Sequence, residues 1–176
     1  MSDWPAWATE AVEVQAAEAS WQQRGRTEAD RLDVALAPWL VAPVEHVGST
    51  AVPGLAAKPV LDLQAAVADL GCAGEVAAAL APAGWHYVPP DLDGRPGRRF
   101  LVLVAEGHRA AHLHLLPPGS PAWRDQLAFR DALRGDPALA ARYAALKAEL
   151  AAAHADDREA YTSGKADFVA AVLGAC

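Results

Sequence analysis

The stretch from Val44 to Ala66, VEHVGSTAVPGLAAKPVLDLQAA, leaves few architectures open to this chain. It reads as strand, tight polar loop, strand. Val44 and Val47 are β-branched and follow Pro43, which suits the start of a strand. Gly48 permits a positive φ or a close backbone approach. Ser49 and Thr50 set two hydroxyls beside it, Pro53-Gly54 marks a turn, and Lys58-Pro59 closes the loop. The second strand is apolar except for Asp62 and Gln64. Alternation puts those two on one face and Leu61 and Leu63 on the other. A Gly-Ser turn followed by a carboxylate in an apolar strand is how metal–nucleotide sites are built. Backbone N–H groups take phosphate, and the carboxylate holds Mg²⁺.

The rest of the chain supplies strands and helices to surround this unit. Residues 1 to about 10 read as a loose lead-in carrying Trp4 and Trp7, and residues 12–16 as at most a short edge strand. Ser20 with Gln23 has the capping-box pattern, so a helix is expected over about 21–36 with Leu32, Ala35 and Leu36 on one face, weakened by Gly25 and stopped by Pro38. Residues 71–81 read as a helix turning Val76 and Leu80 inward, and 85–88 as a strand. Residues 89–98, with three prolines and two glycines, read as a loop. Residues 99–105 and 110–116 are expected to form an antiparallel hairpin. Ser120-Pro121 and Asp136-Pro137 each open a helix, the first running to about 133 and the second to about 153. A last helix is expected over about 163–173.

The run His46-Val47-Gly48-Ser49-Thr50 through Asp62 resembles the signature of the GrpB family. The likeness continues in His112-Leu113-His114-Leu115, Phe129-Arg130-Asp131 and Tyr161-Thr162-Ser163-Gly164-Lys165, so it covers nearly the whole chain. The family is similar in fold to the nucleotidyltransferase superfamily. The resemblance implies an α/β fold, a small mixed sheet with helices packed mainly on one side, as one unit over residues 1–176. It also implies binding of a nucleotide or other phosphorylated small molecule, with nucleotidyl transfer as the reaction of an active version. There Gly48 and Ser49 would hold the triphosphate, Asp62 the metal, and a histidine would act as ligand or base. Domains that look like this one are fused to dephospho-coenzyme A kinase in some bacteria. A catalytically silent binding or regulatory module is therefore the alternative.

One position departs from the superfamily pattern. Polymerase-type nucleotidyltransferases carry a second carboxylate two residues after the first, and a third on a later strand. Here those places hold Gln64 and the pair His112 and His114. An amide is a poor Mg²⁺ anchor, and imidazole favours transition metals, so His112 and His114 are the alternative metal ligands. The candidate catalytic residues are Asp62, His112 and His114. The candidate binding residues are Gly48, Ser49, Thr50, Lys58, Gln64, Arg99, Arg130 and Lys165. Each has a plainer reading. Ser49 and Thr50 are common turn formers, Lys58 could simply pair with Asp62, Arg99, Arg130 and Lys165 could be surface charges, and His46 could pack.

A net charge of −7 and a pI of about 5.3 argue against broad nucleic-acid binding, which needs a dense positive surface. Two cysteines, Cys72 and the terminal Cys176, give neither a disulfide framework nor zinc spacing. With no signal-like start and no long apolar run, a cytoplasmic protein without membrane contact is expected.

Overall fold

The computed structural model describes residues 5–175, so Trp4 and Cys176 lie outside the described residues. Five strands form one mixed sheet: β1 (Glu45–Val47), β2 (Leu61–Ala66), β3 (Trp85–Val88), β4 (Arg99–Ala105) and β5 (His108–Leu116), in spatial order β1-β2-β5-β4-β3. Only β2 and β5 run parallel, and every other neighbouring pair is antiparallel. The parallel pair is central and aligns Asp62 with His112 and Gln64 with His114.

One sheet face is dry. Leu61, Leu63 and Ala65 of β2, Ala111, Leu113 and Leu115 of β5 and Leu101 of β4 pack against helices α1 (Ser20–Leu36) and α2 (Ala73–Leu80). The buried stripe of α1 is Trp21, Gly25, Ala29, Leu32 and Leu36, at the spacing of one helix face. Ala35 is exposed instead, because the stripe drifts past it. The expected capping box does not form. Ser20 already lies inside α1, and its hydroxyl bonds Glu18 at 3.1 Å. Gly25 has a packing role rather than being a flaw. A Cβ there would sit 2.1 Å from Nδ1 of His46, so the glycine admits the imidazole against the helix backbone.

A second apolar cluster joins the loop residues Val52 and Leu55 to Leu133, Tyr143, Phe129 and Phe168. These come from α4 (Pro121–Gly135) and α5 (Pro137–Ala153), and, after the single-turn α3 (Pro90–Asp93) and α6 (Arg158–Ser163), from α7 (Ala166–Leu173). Ser120 caps α4 by accepting from the Trp123 N–H, and Asp136 caps α5 by accepting from Ala138 and Leu139. The last helix expected over about 163–173 is α7, which starts at Ala166, and the short α6, which was not expected, precedes it across Gly164 and Lys165. A Cβ on Gly164 would meet Leu150 at 2.5 Å, so the chain must turn there to pack on α5. The 89–98 segment is a hairpin connection that contains α3.

The lead-in is docked rather than loose. Ala6–Thr9 forms a 3₁₀ turn whose Trp7 and Ala8 carbonyls accept from the Arg109 guanidinium, while Glu10 meets His108 at 2.8 Å. Residues 12–16 make only an isolated bridge, Gln15 to Ala57.

Candidate functional site

The second sheet face carries the polar residues. In the register of the sheet, Glu45 and Val47 of β1, Asp62 and Gln64 of β2, His112 and His114 of β5 and Phe100 of β4 all point the same way. The sheet therefore brings the proposed catalytic residues Asp62, His112 and His114 together. His112 Nδ1 donates to Asp62 Oδ1 at 2.9 Å, and His114 Nε2 stands 3.8 Å from the same oxygen. The other carboxylate oxygen lies against Gly48, where a Cβ would come within 2.6 Å of Oδ2. Gly48, at φ 70°, is thus needed twice over, for its backbone angle and for its closeness to Asp62.

Charge is concentrated here. Burial pushes the Asp62 carboxyl up, but the hydrogen bonds from His112 and His114 outweigh it and hold the group well below the usual carboxylate range. His114 is pushed down, first by burial and then by Arg98, against the pull of Asp62. Arg98 fixes its tautomer. The guanidinium can only donate, so His114 Nδ1, 2.7 Å away, must accept, which leaves its proton on Nε2 towards Asp62. Arg98 is itself gripped by both oxygens of Asp93 and lies over the Phe100 ring, 4.7 Å from its centroid.

The loop supplies the opposite wall. Ser49 Oγ accepts from Lys147 Nζ at 2.9 Å, and the Ala56 carbonyl accepts from the same ammonium. Lys147 is only 2% exposed and has no carboxylate within ion-pair distance among the described residues. Its nitrogen stands 4.8 Å from the Tyr143 ring centroid. Burial and the nearby Lys165 and Lys58 push its pKa down to about 7, against the pull of Asp62. Lys165 lies 4.3 Å and Lys58 5.3 Å from the Tyr161 ring centroid. Burial and Lys58 bring Lys165 down to about 8. Burial, with Asp62, raises the Tyr161 phenol to about 12.

Other sequence-derived candidates sit elsewhere or face inward. Thr50 is buried, with Oγ1 3.0 Å from His46 Nε2 and 3.4 Å from the Val60 carbonyl, so its hydroxyl belongs to the core side. Gln64 is fully buried. Its amide donates to the Trp123 carbonyl at 3.3 Å, and its Oε1 has no hydrogen-bond partner among the described residues. Arg99 pairs with Leu115 across the sheet and so lies on the face away from Asp62, bonded to the Pro96 and Arg98 carbonyls. Alternation gives the site Arg98 in its place. Arg130 is engaged by Glu45, Asp131 and the His46 carbonyl, a brace between α4 and β1. His46 packs on Gly25, and burial lowers its pKa to about 4, leaving it neutral.

Sequence reading missed Lys147, Arg98, Tyr143 and Tyr161. Lys147 had one available signal. It falls four residues after Tyr143 on the stripe that α5 buries, a charge where an apolar residue belongs. Two open clefts lie beside α1, one lined by Asp33, Glu45 and Arg130, the other by Val52, Leu133 and Ala144. Neither is lined by Asp62 or Ser49.

The family model described as GrpB protein matches residues 11–174. The chain belongs to the GrpB family. The crystal structure of the conserved protein GrpB from Enterococcus faecalis superposes with a TM-score of 0.81 at 31% identity, covering 93% of this chain and 96% of that one. A UPF0157 protein of Pseudomonas aeruginosa is 39% identical over 93% of this chain and 66% of its own length. The UPF0157 protein YqkA of Bacillus subtilis is 34% identical over 85% of this chain. This GrpB-family chain spans 42% of the Bacillus relative and 66% of the Pseudomonas one, so both relatives extend beyond the matched region. A protein named dephospho-CoA kinase, from Mycolicibacterium paratuberculosis, is 31% identical over 69% of this chain and 35% of its own length. Among the described residues no helix is long and apolar enough to cross a membrane.

Proposed function

We propose that this protein binds a small phosphorylated molecule, a nucleotide or a related compound, on the face between Asp62 and the loop at Ser49. One observation carries the reading: Lys147 is buried as a potential cation beside Ser49, with only neutral oxygens as partners among the described residues. Burying an ammonium without a counter-ion is expensive. An anionic ligand removes that cost by supplying the missing charge. Lys165 and Lys58 stand close enough to act on Lys147 electrostatically, so the same ligand would meet up to three ammonium groups. Ser49 would donate its hydroxyl to the anion while accepting from Lys147.

The test is calorimetric titration with inorganic pyrophosphate and with common nucleotides. Parent protein is expected to bind, and Lys165→Met to weaken binding at least tenfold while the fold is retained. Equal binding by parent and variant, or no binding by either, would contradict the reading.

A second reading, a silent binding module, draws on Gln64. Its amide is turned into the contact with α4 and offers no charge to a metal. The match to part of a dephospho-CoA kinase suits a domain that accompanies an enzyme. A pyrophosphate-release assay with each nucleoside triphosphate separates the readings, because turnover would exclude the silent one.

A further inference from the structure

The metal set expected from sequence does not fit the side chains. Asp62 commits Oδ1 to His112 and His114, so only Oδ2, beside Gly48, is left to meet a ligand, one oxygen where a two-metal site needs several carboxylates. Gln64 is committed beneath α4. The histidine pair cannot chelate as arranged, because His114 gives its Nδ1 lone pair to Arg98 and turns its Nε2 proton towards Asp62, which leaves His112 Nε2, buried and without a hydrogen-bond partner among the described residues, as a lone donor atom. Among the described residues no three His, Cys, Asp or Glu side chains converge as a metal set. Two lysines feel the charge of Asp62, and repulsion from them opposes a divalent ion at that carboxylate.

Resting on the anion site of the preceding subsection, we propose that ligand binding is independent of divalent metal. Lys58, Lys147 and Lys165 neutralise the phosphate, and Asp62 accepts a hydrogen bond from a hydroxyl of the same ligand. Gly48 and Ser49 are consecutive, so the carboxylate against Gly48 and the ammonium on Ser49 are neighbours across one peptide. A bare phosphate there would be held by the lysines but opposed by Asp62, and so bind more weakly than a ligand that also offers a donor. A ligand with a hydroxyl near its phosphate satisfies both walls, which points to phosphorylated polyols: sugar phosphates and the ribose-phosphate part of nucleotides.

The experiment is calorimetric titration at pH 6.5 with methyl phosphate and with ribose 5-phosphate, each in EDTA and in excess Mg²⁺. Ribose 5-phosphate should bind about tenfold tighter than methyl phosphate, the worth of one hydrogen bond to a charged group. EDTA should change neither affinity by more than about twofold. Asp62→Ala, checked for a cooperative melt, should erase the preference and keep methyl phosphate binding. Binding that appears only with Mg²⁺ would overturn the metal-independent proposal while leaving the anion site standing. Equal affinity of the two probes for parent protein, or a preference that survives Asp62→Ala, would overturn the role of Asp62. No binding of either probe in either buffer would overturn the anion site itself.

Discussion

The two faces of the β2–β5 pair are built from alternate residues of the same strands, yet they obey different rules. On one, Leu61, Leu63, Leu113 and Leu115 meet α1 and α2, where Trp21 Nε1 is the buried polar atom without a partner among the described residues. On the other, Asp62, His112 and His114 form a network beside Gln64, and His112 Nε2 and Gln64 Oε1 are buried without a partner among the described residues. Each orphaned group costs about 1–3 kcal/mol. The dry face therefore stabilises the fold, and the polar face spends some of that stability on charge placement. Substitutions on the two faces should separate stability from binding.

The largest effect belongs to the dry face. Leu113→Ala should destabilise by about 2–5 kcal/mol in urea unfolding, since it opens a cavity in the middle of the sheet. The ligand affinity of the folded fraction should stay unchanged. A large affinity change with little loss of stability would break the division between the faces.

Gly25→Ala comes next. The new methyl would collide with the His46 ring, and overpacking of this kind costs about 1–3 kcal/mol. His46→Ala in the same chain should recover much of that loss. A double-mutant cycle without coupling would show that the helix meets the sheet differently.

Arg98→Leu tests the wiring of the polar face. It removes charge-assisted bonds to Asp93 and His114, each worth about 1–2 kcal/mol. Nitrogen NMR should find the His114 proton on Nε2 in the parent and a changed tautomer balance in the variant. An unchanged tautomer would remove Arg98 from the site.

Strand alternation alone put Asp62 with Gln64 and His112 with His114, because their side-chain direction depends only on local period. What lay above that face was not legible. Gln64 reads as a site amide until α4 is placed over it. Whether Arg98 or Arg99 faces the site depends on where β4 begins after a proline-rich turn, a boundary that the local sequence does not mark. Lys147 sits in an alanine-rich helix that reads as a solvated surface. Only the closure of residues 49–57 over α5 buries it. Gly25 reads as a weak helix residue until an imidazole is found against it.

The pH dependence runs in opposite directions for stability and binding. Lys147 and Lys165 have folded pKa values of about 7 and 8, below the lysine norm. Between those values and the unfolded pKa of about 10.4, the unfolded chain holds more protons, so stability rises with pH across that window. Anion binding needs the ammonium form and should weaken as pH climbs through 7 to 8. Melting curves and titrations from pH 6 to 9.5 check both trends. Parallel trends would contradict the placement of the lysines.

The most direct measurement is the melting temperature of parent and Lys147→Met, each with and without inorganic pyrophosphate at pH 6.5. The parent should melt higher with pyrophosphate. Lys147→Met should melt at the same temperature as the parent or above it in buffer alone, because an uncompensated buried charge has been replaced by a side chain of similar shape. It should also lose most of the pyrophosphate shift. A variant that melts well below the parent yet keeps the full shift would contradict the account.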